Sequence, residues 1–463
     1  MSVATQEPRN NLPIASIGLH SSNDFRAGQA SYQRSLEIPN GNATQPIVVD
    51  FPHILEPQAQ GDQSLSSFLA SAEKLSIQPS TNAISSNAPL QDQSELRKIL
   101  TASGGVVQFR NTPLRTANDF SAFMHTLAKG TGWQPHVDRG LMVLRRPHAD
   151  NVATANEGPP TQEIGSHNEY GLSSHYPSYI AFFCLSAPEK GGQTPIASSL
   201  RLHNRFDTEL NDYLLTITKQ GIAFAIHHPR GNVENHIGGN SVFNENAFGP
   251  QDKNVQIQNL SESEKRSIVE ENVKALAREG GWDENASEED ENVPVWKRKG
   301  YSGHWMPDGS FLVVQRTPGV RKHPIFKVPS YFTNVHTRFV YAGLHKPDEE
   351  KRQDEQEASA WRTNLLEFVE AQQKNQTLKP PVQLPPYLVG SHPREDDFPF
   401  SEHWIRENLR ITSEEQVNVE WSVGDVLLID NLAVQHGRKP WEGDRRLLAS
   451  LWDSPFIQQA SRV

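Results

Sequence analysis

Apolar residues occur along this chain in three spacings, and each predicts a different kind of element. Apolar runs at residues 179–185 (YIAFFCL) and 426–429 (VLLI), and the mostly apolar run at 447–452 (LLASLW), predict short strands covered on both faces, because a strand with one wet face alternates instead. Val417, Val419 and Trp421 do alternate, which predicts a half-buried strand. Helical spacing groups Leu96, Ile99 and Leu100 over residues 94–102. It also groups Phe120, Phe123, Met124 and Leu127 over residues 118–128. Gly104-Gly105 stops the first of these helices, and residues 106–109 (VVQF) follow as a strand. Helix, strand and helix can then pack as one layer against a sheet.

Further strands are expected at residues 46–51, 195–199 and 311–314, the last after an Asp308-Gly309 turn. Further helices are expected at residues 65–75, 357–373 and 401–409. Ser261 and Glu264 are spaced as a capping box at the head of a helix over residues 261–278, which stops at Gly280-Gly281. Residues 1–45 are polar and aperiodic and predict a disordered or loosely docked arm. The Ser/Asn/Pro-rich segment 78–91 and the Pro-rich segment 380–386 predict connectors. Many short strands between loops, with helices outside, predict an α+β or mainly-β fold: a β-sandwich or jelly-roll core flanked by helices. Residues 46–463 read as a single domain with long polar insertions near 231–292 and 345–399.

Composition narrows the class. The chain has 463 residues, 36% of them hydrophobic, enough for a sizeable core. A net charge of −11 with no basic patch argues against a nucleic-acid partner. No apolar run approaches the roughly 20 residues needed to span a bilayer, and the N-terminus lacks the apolar segment of a signal peptide. The lone cysteine, Cys184, cannot form an internal disulfide, which suits a reducing compartment such as the cytoplasm. The first 40 residues, poor in acids and carrying Arg without a clear amphipathic period, leave a mitochondrial presequence open. Apolar neighbours make Cys184 a core side chain rather than a nucleophile.

The chemistry-bearing residues cluster at the two ends of the apolar runs. Histidine and a carboxylate two residues apart on a strand project to the same side. With one more histidine they make a facial triad, which leaves positions open on a metal such as Fe(II). Three His-x-acid triplets occur: His136/Asp138, His148/Asp150 and His167/Glu169. With 18 His and 55 acidic residues, about two are expected by chance, so spacing alone does not choose among them. Context does. Only His167/Glu169 leads into a buried strand and then a Gly191-Gly192-Gln-Thr194 turn. A second histidine, His436, follows the buried run 426–429. Beyond it lies Arg445-Arg446 at the head of the run 447–452. Successive residues of a strand face opposite ways, so one of these two arginines points inward. A buried arginine needs an anion, and a dicarboxylate would supply one.

In combination these residues resemble the TauD/TfdA family of Fe(II)/2-oxoglutarate dioxygenases, and the His-x-Glu form resembles its clavaminate-synthase-like branch. The matching features are His167-Asn-Glu169, Gly191-Gly192-Gln-Thr194, Gly424-Asp425 with Asp430-Asn431, His436-Gly-Arg438 and Arg445-Arg446-Leu. The segment 99–120 and the Met306-Pro-Asp-Gly-Ser turn are also similar, so the resemblance runs from about Leu96 to Trp452. It implies a double-stranded β-helix (jelly-roll) core. It also implies Fe(II) held by His167, Glu169 and His436, with 2-oxoglutarate and O2 as co-substrates. Thr194 would bond one 2-oxoglutarate carboxylate. Arg446 would pair with the carboxylate farther from iron, with Arg445 as the alternative. Arg438 would be a substrate contact or a surface ion-pair partner, and Asp430 and Asn431 would fix the loop before His436.

The expected activity is oxidation of an unactivated C–H in a small polar molecule, an amino acid or a natural-product intermediate, with release of succinate and CO2. The outcome is hydroxylation or desaturation. An intact Glu169 disfavours a halogenase, which needs that position vacant. A catalytically silent jelly-roll binding protein, or a cupin using another metal without 2-oxoglutarate, would leave Thr194 and the inward arginine without a role. The insertions are expected to enclose the substrate. Residues 223–248 and 331–341, which mix aromatic, amide and histidine side chains, are the first candidates for pocket lining. Asn334 is the named example, and the loops between residues 140 and 166 come next.

Overall fold

The computed structural model describes residues 24–58, 63–78, 92–141, 145–155, 160–161, 163–171, 173–233, 239–252, 254–287, 289–300, 302–335, 387–390 and 402–457. Two sheets face each other across one core. The larger has nine strands among the described residues. At its centre Tyr179–Ser186 pairs antiparallel with Val426–Asp430 on one side and Arg446–Asp453 on the other. Val106–Phe109 extends it beyond Val426–Asp430. The smaller sheet has the order Val417–Val419, Thr194–Ser198, Val434–Arg438, Ile164–His167.

The apolar runs are explained by which core each residue enters. Tyr179, Ala181 and Phe183 pack on the helix side of the large sheet. Ile180, Phe182 and Cys184 face the smaller sheet. The next strands split the same way: Val426 and Leu428 against Leu427 and Ile429, and Leu448 and Trp452 against Leu447, Ala449 and Leu451. Each fully buried large apolar side chain contributes about 1.5–3 kcal/mol, so both faces resist a shift in register. Cys184 is a buried free thiol whose pKa burial pushes up to about 12. It is a core side chain, as its neighbours imply.

Helices Leu65–Ser76, Glu95–Ala102 and Ala117–Thr131 cover the outer face of the large sheet through Phe68, Leu96, Leu100, Phe120 and Phe123. The third starts at a capping box, Thr116 with Asp119, and stops at Gly132 in the left-handed region. The capping box expected at Ser261 and Glu264 heads Glu262–Glu279.

Some elements differ from the sequence reading. Of the arm expected over residues 1–45, the part beyond residue 23 is strand and turn. Phe25–Ala27 pairs with His53–Pro57, and Arg34–Ile38 pairs with Ile47–Phe51. The two strands within the arm bury only Phe25, Leu36 and Ile38, too few apolar positions to register as a pattern. A third, four-stranded sheet consists of Ser302–Trp305, Phe311–Thr317, Ile222–His228 and Tyr387–Gly390; only Phe311–Thr317 matches an expected strand, and only Tyr387–Gly390 falls within a stretch read as an insertion. Helices Ser199–Glu209 and Asn211–Lys219 were also unmarked by periodicity. The helix expected at 357–373 and the connector at 380–386 lie outside the described residues. No helix among the described residues is long and apolar enough to cross a membrane.

Candidate metal centre

The smaller sheet brings the two halves of the chemistry together. His167 and His436 are direct partners on neighbouring antiparallel strands, and Ile196 is the partner of His436 on its other side. The two imidazoles are 4.4 Å apart between ring centroids. Glu169 reaches back so that its Oε2 lies 3.8 Å from His167 Nε2 and 3.4 Å from His436 Nε2. Among the described residues these three side chains form the group spaced to hold a metal ion, with their donor atoms within 4.8 Å of one another.

Two asparagines lock the triad's backbone. Asn431 Oδ1 accepts from the Glu169 amide at 2.8 Å, and its Nδ2 donates to the Glu169 carbonyl at 3.0 Å. Asn168, between the two ligand candidates, donates to the Asn431 carbonyl at 2.7 Å. It also accepts from Gln435 Nε2 at 3.2 Å and from the Thr333 amide at 3.0 Å. The segments 167–169 and 431–436 are therefore tied by buried polar groups whose partners would be costly to remove. Asn431 fixes this loop as the sequence reading expected.

The donor set suits Fe(II): two imidazoles and one carboxylate, with room for other ligands. His167 Nδ1 donates to the Gly165 carbonyl at 2.9 Å, so the proton sits on Nδ1 and Nε2 keeps its lone pair toward the triad. Burial alone would raise the Glu169 carboxyl. Arg145, His436 and His167 together outweigh that effect and hold it far below the usual carboxylate range. Glu169 is thus an anion at neutral pH. Arg145 was not foreseen from the sequence. It donates through Nη2 to Glu169 Oε1, and nothing in the run LMVLRRPH distinguishes it from Arg146.

A cavity opens on the triad, lined by Arg145, Thr194, Arg438 and Arg445 together with apolar Ile180, Phe182, Leu447 and Ala449. Thr194 is buried and its hydroxyl accepts from Trp421 Nε1 at 3.0 Å. The inward arginine is Arg445, and the expectation for Arg446 is corrected. Arg446 has a 62% exposed side chain, paired with Asp444 at 2.8 Å. The cause is the parity of the strand. Leu447, Ala449 and Leu451 face the core between the sheets, and Arg445 shares their face. Its Nε donates to the Gly192 carbonyl at 2.8 Å. Gly191 and Gly192 both have positive φ, and a Cβ on Gly191 would lie 2.3 Å from the Pro440 carbonyl, so this turn requires glycine. Burial, and then the neighbouring Arg438 charge, bring the Arg445 pKa down to about 10. Arg438 is buried, and both guanidiniums lie over the Trp441 ring, at 4.6 and 5.4 Å. That removes the surface alternative for Arg438.

The other candidates lie apart from the triad. His136 bonds Asp453 at 2.8 Å. His148 bonds Thr154 on the surface, and Asp150 is 85% exposed. Asn334 is half-buried beside Thr333 and is absent from the cavity lining. So are the described residues of 223–248 and of 331–341. The second choice of the sequence reading, the loops between 140 and 166, supplies Arg145, Ala155 and Ile164 to the lining. Of the insertion near 345–399, only the strand Tyr387–Gly390 is described.

Comparison with known proteins agrees with this geometry. The family model for taurine catabolism dioxygenase TauD, TfdA family, matches residues 72–452, which takes in every member of the triad and of the cavity. A clavaminate synthase-like protein of Arabidopsis thaliana is 25% identical over 365 residues, covering 78% of this chain and 86% of the relative. The dapdiamide synthesis protein DdaC of Enterobacter agglomerans is 24% identical over 359 residues, covering 78% and 85%. The match spans most of the chain and the structure offers a candidate metal centre of two imidazoles and a carboxylate within it, and the chain belongs to the TauD/TfdA family of dioxygenases, enzymes that use Fe(II) and 2-oxoglutarate.

Proposed function

We propose that this enzyme oxidises an unactivated C–H bond of a small polar molecule, an amino acid or a natural-product intermediate, with His167, Glu169 and His436 as the three iron ligands. The two facing sheets support a double-stranded β-helix as the scaffold. One observation carries the reading. A triad assembled from residues separated by more than half of the chain opens into the same cavity as Thr194 and Arg445. When bound, Fe(II) with 2-oxoglutarate and O2 supplies the oxidising chemistry, and the dicarboxylate leaves as succinate and CO2.

The chain's own residues do the rest. Arg445 offers a charge-assisted, bidentate partner to the carboxylate farther from iron, and Gly192 and Trp441 fix its orientation. Thr194, itself oriented by Trp421, hydrogen-bonds a carboxylate. Ile180, Phe182, Leu447 and Ala449 make the floor apolar, a surrounding that strengthens polar contacts and disfavours water at the reacting centre. The synthesis pathway in the name of the bacterial relative supports a natural-product or amino-acid substrate.

The test is anaerobic titration of Fe(II) and 2-oxoglutarate, followed by a succinate screen over small polar amino-acid derivatives. Wild type should bind both and His436→Ala should bind neither well. Succinate formation by His436→Ala at the wild-type rate would sink the assignment.

A further inference from the structure

Three protein donors would leave three positions open on a six-coordinate metal. On the reading proposed above, 2-oxoglutarate and O2 would need all three, so the protein should supply three donor atoms and no more. Glutamate endangers that count. A carboxylate can chelate through both oxygens, as it does around larger cations, and the longer arm of Glu169 gives it the reach to do so.

The structure separates the two oxygens. Oε2 faces both histidines, 3.8 Å from His167 Nε2 and 3.4 Å from His436 Nε2. Oε1 accepts from Arg145 Nη2. We infer that Arg145 is a positioning residue that holds Glu169 as a one-oxygen ligand and so keeps a coordination position open for the co-substrates, an inference that rests on the triad proposed above.

The surroundings of Arg145 are built for this contact. Its guanidinium lies over the ring of Tyr170, 5.5 Å from the centroid. Tyr170 follows Glu169 directly and has φ +55°, a left-handed conformation that bulky residues rarely adopt. That turn carries the ring under Arg145, and the Tyr170 hydroxyl donates to Asp138 Oδ1 at 2.8 Å. Asn431 meanwhile grips the Glu169 amide and carbonyl. Backbone, ring and guanidinium together leave Oε2 as the oxygen directed at the metal position. His136/Asp138, one of the two rejected triplets, thereby acquires a part: Asp138 anchors the ring on which Arg145 rests. A cation beside a metal ligand weakens metal binding by repulsion, so its presence calls for a gain elsewhere, and the open position is that gain.

The experiment titrates Mn(II), Co(II) and 2-oxoglutarate into full-length wild type, Arg145→Met and Arg145→Lys. Met keeps the bulk and removes every donor. Arg145→Met should bind Mn(II) at least as tightly as wild type, since a repelling charge is gone and a fourth donor atom is free. Its 2-oxoglutarate dissociation constant should rise about 10–100-fold. The visible absorption of its Co(II) form should change as the donor count rises. Arg145→Lys, with a single-point donor, should fall between the two, and it decides the matter should the Met variant fail to fold. A loss of Mn(II) affinity comparable with His436→Ala would make Arg145 a merely structural residue and overturn the inference. So would unchanged 2-oxoglutarate affinity with an unchanged Co(II) spectrum. Both of those results leave the triad standing, whereas a wild type that binds no metal sinks the triad and this inference together.

Discussion

The two facing sheets and the third, lateral sheet are built from similar strands and do different things. In the facing pair every central strand is buried on both sides, and the triad sits where strands distant in sequence become neighbours. The lateral sheet has a core of its own, in which Val242, Phe248, Val269, Val273 and Leu276 pack on Phe311 and Val313. Its helix Glu262–Glu279 buries one narrow stripe and carries exposed ion pairs such as Lys274–Glu271. None of its described residues lines the cavity. The other face of the lateral sheet joins the main body, since Ile222 and Ile226 share a core with Ala197 of the smaller sheet. A site built across strands inherits the register of the whole core, whereas a region packed partly within itself is coupled to that register less directly.

The largest expected effect lies at the centre of the facing pair. His436→Ala should lose nearly all bound iron, measured by metal analysis, and should reduce succinate formation to background. The next effect sets Arg445 against Arg446. Removing one partner of a buried charged pair costs about 3–5 kcal/mol, so Arg445→Ala should raise the 2-oxoglutarate requirement on the order of a hundredfold or more. Arg446 is exposed, and Arg446→Ala should leave that titration within about twofold. The reverse ranking would place the co-substrate on the other face of the strand.

Two core truncations sharpen the comparison. Leu427→Ala, between the facing sheets, and Leu276→Ala, in the lateral core, remove side chains that are 0% and 1% exposed. Each should cost about 2–5 kcal/mol of stability, measured by denaturant unfolding. Only Leu427→Ala should also weaken Fe(II) binding. A matching loss in Leu276→Ala would show that the two regions respond as one unit.

The smallest effect is one of pH. Burial holds His228, in the lateral sheet, down to about 4 from an ordinary 6.5. The folded state therefore takes up fewer protons than the unfolded chain between those values. The contribution to stability is complete above pH 6.5 and is lost as pH falls toward 4. His228→Phe should flatten the dependence of the unfolding midpoint on pH in that window, with the metal centre unaffected. An unchanged slope would show that the lateral core does not bury a neutral imidazole there.

Much of this was legible because burial on both faces leaves a plain mark. The runs at 179–185, 426–429 and 447–452 became the three central strands, and the capping box at Ser261 became a helix start. Of the lateral strands, Phe311–Thr317 was legible as the strand expected at 311–314, and the others were not. Ile222–His228 mixes apolar residues with two histidines, and Ser302–Trp305 (SGHW) has Trp305 as its one large apolar residue. Their pairing depends on partners elsewhere in the chain.

The sequence by itself singled out the candidate donors: His167, Glu169 and His436 stand out by their context within buried runs, and Thr194 by its Gly-Gly turn. It also required that one of Arg445 and Arg446 point inward. Which one does was beyond it, because the strand that follows is apolar on both faces and neither face is marked as the site's. Only the packing of Leu447, Ala449 and Leu451 between the sheets settles it for Arg445. Arg145 is a tertiary fact as well. A guanidinium 24 residues before Glu169 carries no local signature, since what selects it is an oxygen atom brought to it by the fold.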